Sequence, residues 1–171
     1  MTGCLLVTPP DYPIEKHTHI IMRLNSGMEQ CFSDTLRFGR FWLIQSGKKD
    51  TYSGISKLGL ELLSDECNAQ YLKSKFGKRK KEIKECLLDQ SVIVGIGNIY
   101  SDEILFRAKI CPTRPADSLM VREWERLAEM IPERLLQVYG HAGEPCPNCG
   151  ETLVRVVISG RSSVYCPNCQ E

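Results

Sequence analysis

The chain ends with two copies of one four-residue motif. CPNC stands at Cys146–Cys149 and again at Cys166–Cys169, with sixteen residues between the copies. A Cys-x-x-Cys turn directs two sulfurs toward one point, so two turns joined by a short hairpin supply four tetrahedral ligands. Four thiolates leave no open coordination position, which predicts one structural Zn²⁺ per chain; a rubredoxin-type iron centre and a pair of disulfides are the alternatives. The predicted ligands are Cys146, Cys149, Cys166 and Cys169.

The residues between the two motifs read as a β-hairpin. LVRVVI and RSSVY are rich in β-branched residues, and Ser159-Gly160 between them is turn material. Arg161 is therefore predicted at the tip of a hairpin that the metal holds rigid. Such an arginine is either an ordinary exposed residue or a contact for an anionic partner.

The charge of the chain is unevenly distributed. Its formal net charge is +1, yet residues 67–84 contain seven lysines and arginines and a single acidic residue, Glu82. A local basic segment in a nearly neutral protein indicates contact with a polyanion. The alternative is a solvated helix face.

The remaining composition narrows the class of protein. We find neither a run of about 18 apolar residues nor a secretory signal, so the sequence predicts a cytoplasmic protein with no membrane segment. Nine cysteines, four of them in the two motifs, favour a metal site over a disulfide framework. The other five are expected to be small buried side chains. They are Cys4, Cys31, Cys67, Cys86 and Cys111.

The pattern of apolar residues changes along the chain. Residues 1–45 predict four strands, GCLLVT, THIIMRL, EQCFSD and FGRFWLIQ, with a tight turn at Asn25-Ser26-Gly27. Such a sheet has one face to bury, and no nearby segment supplies an opposing layer. From Ser64 the period becomes helical, with short helices over Cys67–Phe76 and Lys80–Leu88. A longer amphipathic helix is predicted over Ser118–Val138, including Val121 in its apolar face and a kink at Pro132.

The segment VGIGNIY has the composition of a turn before a helix. Gly95 and Gly97 allow close backbone approach, and Asn98 is predicted to cap a helix that begins at Ile99. Free N–H groups at a helix N-terminus favour phosphate. A tight turn without a ligand is the alternative.

These pieces together resemble a known family. KKEIKECLLDQSVIVGIGNIYSDEILFRAKICP, a long helix and the terminal GRSSVYCPNCQ closely resemble the formamidopyrimidine-DNA glycosylase/endonuclease VIII family. MTGCLLVTPPDYPIEKHTHI and FSDTLRFGRF resemble the second half of the family's N-terminal β-sandwich. The resemblance implies an α+β fold in three parts: a partial antiparallel sandwich over 1–63, a helix-two-turn-helix domain over 64–140 and a zinc finger over 141–171.

The resemblance also implies binding of damaged or abasic double-stranded DNA. Arg161 matches an arginine that grips phosphates beside the flipped nucleotide and assists strand cleavage, which makes it the one catalytic candidate. Phe38 matches an aromatic wedge, and Met1 aligns with a residue that fills the gap left by the extruded base. The other implied contacts are with the sugar–phosphate backbone. They are Lys84, Gly97, Asn98, His17, Arg37 and Arg79.

Several departures from the family pattern affect the expected chemistry. The family's N-terminal proline nucleophile, the acidic residue after it and a lysine that precedes the matched segment have no counterpart in this sequence. Leu36 stands where many members have a wedge arginine. Leu136-Gln137 runs directly into Val138, where the family has a further segment that closes over the flipped base.

The departures leave three functional hypotheses. The first is a base-excision-repair homologue, associated with the nucleoid, that binds DNA without glycosylase activity of its own. The second is an active DNA glycosylase/AP lyase that uses another amine, such as the α-amine of Met1, or that is a fragment of a longer product. The third is a decayed remnant or oligomeric scaffold. The unopposed sheet face over residues 1–45 further predicts a homodimer.

Overall fold

The described residues form two compact units. The structure, a computed structural model, describes residues 3–47, 54–131 and 136–171. The chain divides into one compact unit over Met1–Ser53 and another over Gly54–Glu171. The first unit contains an antiparallel sheet, whereas the second combines helices with short strands. The α+β class predicted from the sequence is confirmed.

The first unit is built on a three-stranded antiparallel sheet. β3 lies in the centre, between β1 and β2. The predicted turn joins β2 to β3: Gly27 has φ of 80°, and the Leu24 N–H donates to the Met28 carbonyl across it at 2.9 Å. Three of the four predicted strands are thus confirmed. Their bounds are β1 Cys4–Thr8, β2 Thr18–Arg23 and β3 Glu29–Ser33.

The fourth predicted strand, FGRFWLIQ, is wrong, because residues 38–45 have no strand pairing. The Asp34 carboxylate accepts the backbone N–H groups of Leu36 and Gly39 at 3.2 and 2.8 Å, which are then unavailable to a sheet. The chain also reverses at Arg37, whose φ is 55°. A Cβ on Gly39 would lie 2.3 Å from the Phe32 ring, so close packing against β3 replaces strand pairing.

The second unit contains four α-helices, one parallel strand pair and the C-terminal hairpin among its described residues. Two short 3₁₀ turns, Ile55–Lys57 and Ala116–Ser118, accompany them. The helices are α1 Ala69–Phe76, α2 Ile83–Leu87, α3 Asn98–Ala108 and α4 Val121–Met130. The strands are β4 Leu60–Glu61, β5 Ile93–Val94, β6 Val154–Ile158 and β7 Arg161–Tyr165.

The helices enclose one apolar core. Leu72 and Phe76 are four residues apart on α1, which puts both on the inner face of the helix, and both are fully buried. The Phe76 ring stacks on Trp124 of α4 with 6.5 Å between ring centroids. The other large contributors come from α2, α3 and α4 and from the segments between them. They include Ile83, Leu87, Ile93, Ile96, Ile104, Leu105, Ile110 and Leu127.

A second, smaller core joins α3 to the hairpin. Phe106 leaves the far side of α3 and packs with Val138, Leu153 and Val164, all of which are buried. Two of the terminal cysteines belong to the same cluster. The hairpin is therefore attached to the helices by apolar contacts.

Some helix boundaries and burials differ from the predictions. α4 begins at Val121 rather than Ser118, and Val121 itself is exposed because it starts the helix. The predicted kink at Pro132 lies outside the described residues. Of the five scattered cysteines, Cys31, Cys67 and Cys86 are buried, Cys111 is half-buried and Cys4 is exposed. Across the described ranges, no helix has the length and apolar content needed to cross a membrane.

Candidate zinc site and nucleic-acid interface

The four terminal cysteines converge on one point. Their sulfur atoms all lie within 4.8 Å of one another. The Cys146–Cys169 and Cys149–Cys166 sulfur pairs are 4.0 and 3.6 Å apart. Thiolates about 2.3 Å from one tetrahedral ion lie roughly 3.8 Å from each other, so the arrangement fits Zn²⁺. The four cysteines form the ligand set of one structural zinc ion.

The thiols of this cluster influence one another's protonation. Backbone and side-chain hydrogen bonds from Glu151 and Asn168 lower the pKa of Cys149 to about 6. In contrast, hydrogen bonds with neighbouring thiols, Cys149 first, raise the pKa of Cys169 to about 12, and burial raises that of Cys166. Four crowded sulfurs do not all ionise near neutral pH unless a metal ion offsets their charges.

Arg161 follows a tight turn in the hairpin. Ile158 and Arg161 are paired residues of β6 and β7, and the two residues between them, Ser159 and Gly160, have φ of 47° and 77°. The tip of the hairpin is thus Ser159-Gly160, and Arg161 is the first residue of β7. Its side chain is exposed.

Arg161 lines a cleft together with residues from the α1–α2 region. Arg79 lies on the same cleft, with its Nη1 atom 2.7 Å from Asp89 Oδ2 and its guanidinium 5.1 Å from the centroid of the Phe76 ring. Lys81 pairs with Glu85 at 2.6 Å. Two basic residues of the cleft are therefore partly neutralised by carboxylates, and no ion pair of Arg161 occurs in the described part of the chain.

Lys84, a predicted phosphate contact, is fully buried. Its Nζ atom donates to Asp102 Oδ1 at 2.7 Å and to the Ser162 carbonyl at 3.0 Å. The Lys84 ammonium group therefore links the helical core to β7. Because a direct phosphate contact needs an exposed group, we revise the expected role of Lys84 to positioning of the hairpin.

Asp102 completes this buried polar group. Its carboxylate also accepts the Ser163 hydroxyl and the Val164 N–H of β7. Burial lowers the pKa of Lys84 and raises that of Asp102, while the hydrogen bond between the two side chains opposes both shifts. The Ser162 carbonyl, the Ser163 hydroxyl and the Val164 N–H of β7 hydrogen-bond to this ion pair. These bonds offset the free-energy cost of burying two charges.

Asn98 is also directed at the hairpin. Its Nδ2 atom donates to the same Ser162 carbonyl at 3.0 Å, and its buried Oδ1 atom has no hydrogen-bond partner. The predicted cap is wrong: α3 begins at Asn98, and the N-cap is Gly97, whose extended backbone carries no capping side chain. Gly97 is exposed, so the N-terminus of α3 lies at the protein surface.

The remaining predicted contacts belong to the first unit. Arg37 and Phe38 are exposed, and 71% of Phe38 is accessible. His17 is half-buried, and its carbonyl accepts the Asp34 N–H at 3.0 Å. Met1 lies outside the described residues. The structure therefore brings together Arg79 with Arg161, and Lys84 with Asn98, while His17, Arg37 and Phe38 belong to a separately described unit.

The sequence reasoning missed two inward-facing carboxylates, Asp102 and Glu103. Glu103 is 1% exposed and accepts the N–H groups of Gln137, Val138 and Tyr139 at 2.8 to 3.0 Å. It fixes the segment that leads into the hairpin. The available signal was their position within the apolar run of α3, where an acidic residue needs a partner.

Two family models match the second unit. Residues 58–139 match the formamidopyrimidine-DNA glycosylase H2TH domain. Residues 143–171 match the zinc finger found in formamidopyrimidine-DNA glycosylase and isoleucyl-tRNA synthetase proteins. Together the two matches cover the helices, the cleft and the cysteine cluster.

Curated relatives extend the similarity over the whole chain. The formamidopyrimidine-DNA glycosylase of Pelotomaculum thermopropionicum is 38% identical over 198 residues, which cover 100% of this chain and 72% of the relative. The enzyme of that name from Desulfitobacterium hafniense strain DCB-2 is 40% identical over 197 residues, covering 99% of this chain and 72% of the relative.

Solved structures show the same fold. The Lactococcus lactis protein in complex with DNA containing an abasic site superposes with a TM-score of 0.88 at 28% identity, covering 100% of this chain and 72% of that one. A complex of MutM with DNA containing carbocyclic 8-oxo-G gives a TM-score of 0.87 at 29% identity, with the same coverage. The chain belongs to the formamidopyrimidine-DNA glycosylase family of DNA-binding repair proteins.

Proposed function

We propose that this polypeptide binds duplex DNA at a damaged or abasic nucleotide. The binding surface comprises Arg161, the cleft beside it and the start of α3. The observation that carries the proposal is the placement of Arg161: it is exposed, it has no described ion pair, and its hairpin is fixed by the zinc ligands and by the buried Lys84–Asp102 pair. An arginine held in this way is suited to charge-assisted hydrogen bonds with phosphate.

The DNA partner is supported by the bound state of the relatives. The similar Lactococcus lactis structures hold DNA that contains an abasic site or FAPY-dG. We propose that this chain shares the preference for such DNA. The predicted contacts with the DNA sugar–phosphate backbone then come from His17, Arg37, Arg79, Gly97 and Asn98. Phe38, with most of its ring accessible, is the proposed wedge. Association with the nucleoid follows from the same DNA affinity.

The three predicted parts of the chain have separate roles in this proposal. The segment over 1–63 supplies the wedge, the segment over 64–140 supplies the phosphate contacts of the helices, and the segment over 141–171 supplies Arg161. The family matches over 58–139 and 143–171 support the division of the second and third parts.

We further propose that this polypeptide does not by itself cleave the glycosidic bond or form a Schiff base. A lyase needs a neutral amine that reaches the sugar C1′ atom. Burial lowers the pKa of the Lys84 amine, as such chemistry would require, but Nζ is enclosed by Asp102 and Ser162. The second candidate function is an active DNA glycosylase/AP lyase that uses another amine, for which the family membership is the favouring observation.

Borohydride trapping separates the two candidates. The zinc-loaded protein is incubated with an abasic-site duplex and reductant, and covalent adducts are resolved by denaturing electrophoresis. We expect specific binding with no adduct. An adduct would establish the lyase, and its mass after digestion would identify the amine.

A homodimer through the first unit is part of the proposal. Apolar side chains of β1 and β2 are accessible, among them Leu5, Val7 and Ile21. β1 and β2 are also the edge strands of their sheet, and edge strands favour pairing with a second copy. We expect light scattering to show the mass of a dimer at micromolar concentration, and a monomer at every concentration would contradict this part.

A further inference from the structure

The two Cys-x-x-Cys turns differ in the group that bonds to their first cysteine. The first turn is followed by Gly150, and its Cys146 N–H donates to the Glu151 backbone carbonyl at 2.7 Å. The second turn is followed by Gln170, and its Cys166 N–H donates to the Gln170 side-chain Oε1 atom at 2.8 Å. A side-chain amide therefore takes the place of a backbone acceptor in the second turn.

The backbone of the two turns is otherwise alike as far as the residue after the last cysteine. The Gly150 N–H donates to the Cys146 carbonyl at 2.9 Å, and the Gln170 N–H donates to the Cys166 carbonyl at 3.1 Å. Gly150 has φ of 78°, in the left-handed region that glycine favours, whereas the φ of Gln170 is not positive. The chain thus leaves the two turns along different paths.

Gln170 also bonds to the helical core. Its Nε2 atom donates to the carbonyl of Ile110, just beyond the end of α3, at 2.9 Å. Gln170 is 3% exposed and Ile110 is fully buried. Breaking either bond of this amide would leave a buried polar group without a partner, which costs free energy. The two bonds therefore fix the second cysteine turn relative to the end of α3.

The residue after Gln170 makes a parallel connection. The Cys111 N–H donates to the Glu171 carbonyl at 2.9 Å, and Arg114 Nη1 donates to the same carbonyl at 3.0 Å. Arg114 in turn donates to both carboxylate oxygens of Glu123 on α4, at 2.8 and 3.1 Å. The backbone on which the Gln170 side chain is mounted is thus bonded to the segment that follows α3.

We propose that Gln170 is a positioning residue for the zinc ligand Cys166. Its amide fixes the backbone of Cys166 against the end of α3 and so slows release of the bound ion. Groups that orient the ligands of a metal are typically worth about 10- to 100-fold in metal affinity. The role belongs to the second turn, because Gly150 at the matching position of the first has no side chain.

Amide hydrogen exchange in the zinc-loaded chain tests this contact directly. Gln170→Met keeps the length of the side chain and removes both of its hydrogen-bonding groups. We expect exchange at Cys166 to accelerate about tenfold and exchange at Cys146, whose N–H bonds to a backbone carbonyl, to stay unchanged. Equal acceleration at both cysteines, or none at Cys166, would overturn the proposal.

Zinc release to a chromogenic chelator measures the effect on the metal site. Gln170→Met should release zinc about tenfold faster than the unsubstituted chain. Gln90→Met is the matched control, because the Gln90 amide also bonds to two backbone groups, the Gly95 N–H at 3.1 Å and the Ile96 carbonyl at 2.8 Å. This control should leave the release rate within about twofold, since its contacts orient no zinc ligand. The same acceleration in both variants would contradict positioning of Cys166.

A second variant covers the case in which Gln170→Met does not fold. Gln170→Asn keeps the amide but shortens the side chain by one methylene, so that it reaches at most one of its two partners. Its zinc-release rate should lie between those of Gln170→Met and the unsubstituted chain, and a rate equal to that of the unsubstituted chain would refute the proposal. Both measurements are made without DNA, so their outcome is independent of the proposed DNA binding.

Discussion

The Lys84 ammonium and the Asp102 carboxylate form a fully buried ion pair, with 2.7 Å between Nζ and Oδ1. Lys84 belongs to α2 and Asp102 to α3, and both also bond to β7. This pair is therefore a junction of three elements. It places the zinc hairpin, and with it Arg161, relative to the helical core.

Breaking this pair should destabilise the second unit strongly. Lys84→Met leaves the Asp102 charge buried without its partner, which costs about 3–5 kcal/mol of unfolding free energy. Adding Asp102→Asn removes that charge and should recover a large part of the loss. Chemical denaturation of the single and double variants measures both values. Equal stability of Lys84→Met and the unsubstituted protein would contradict the buried pair.

Removal of zinc should unfold the hairpin. Metal binding in small zinc modules is worth about 10–16 kcal/mol. Four of the six buried residues of the second core belong to the zinc module, namely Cys146, Leu153, Val164 and Cys166. We expect one zinc per chain by elemental analysis, and loss of DNA binding on chelation. Restoration by added Zn²⁺ is the control. Bound iron, or full DNA binding by the metal-free protein, would contradict the assignment.

The cysteine site was predictable because its signal is local. Two Cys-x-x-Cys turns and the strand pattern between them determine the ligand set without knowledge of the rest of the chain. The first three strands and their turn were predictable for the same reason, since β-branched residues and Asn25-Ser26-Gly27 act over short distances.

The interior polar contacts were not predictable from local pattern. Lys84 lies at the end of a basic segment, and its charge alone suggests an exposed phosphate contact; only its long-range pairing with Asp102 and Ser162 makes it internal. FGRFWLIQ fails in a similar way, because the Asp34 carboxylate and the Phe32 ring, rather than strand propensity, determine its conformation.

Glu103 should be essential to the segment that enters the hairpin. Its carboxylate accepts three backbone N–H groups, from residues 137–139, in a buried position. Glu103→Ala leaves those donors without a partner and should cost about 2–4 kcal/mol of unfolding free energy. Glu125→Ala, at an exposed position of α4, is the matched control. A loss no larger than in the control would contradict this role.

Acid should weaken the ion pair between Arg79 and Asp89, two residues that line the cleft. Hydrogen bonds from Arg79 and then Ser91 hold the pKa of Asp89 below its usual range. The stabilisation is therefore present above the ordinary carboxyl pKa of about 4 and is lost as pH falls through the lower folded value.

The Arg79 and Asp89 side chains are 34% and 32% exposed, so solvent limits the size of this effect to about 0.2–1 kcal/mol. Asp89→Asn should lose that stability at pH 7 and differ little from the unsubstituted protein at pH 2. Unfolding free energies measured at both pH values test the prediction, and a larger difference at low pH would refute it.

Binding of the zinc-loaded protein to matched duplexes with and without an abasic site tests the central claim most directly. We predict tighter binding to the abasic duplex, a log–log salt slope of about −3 to −5, and a loss of about 1–3 kcal/mol for Arg161→Ala on the abasic duplex. Equal affinity for both duplexes, or an abasic-site affinity that Arg161→Ala leaves unchanged, would contradict the account.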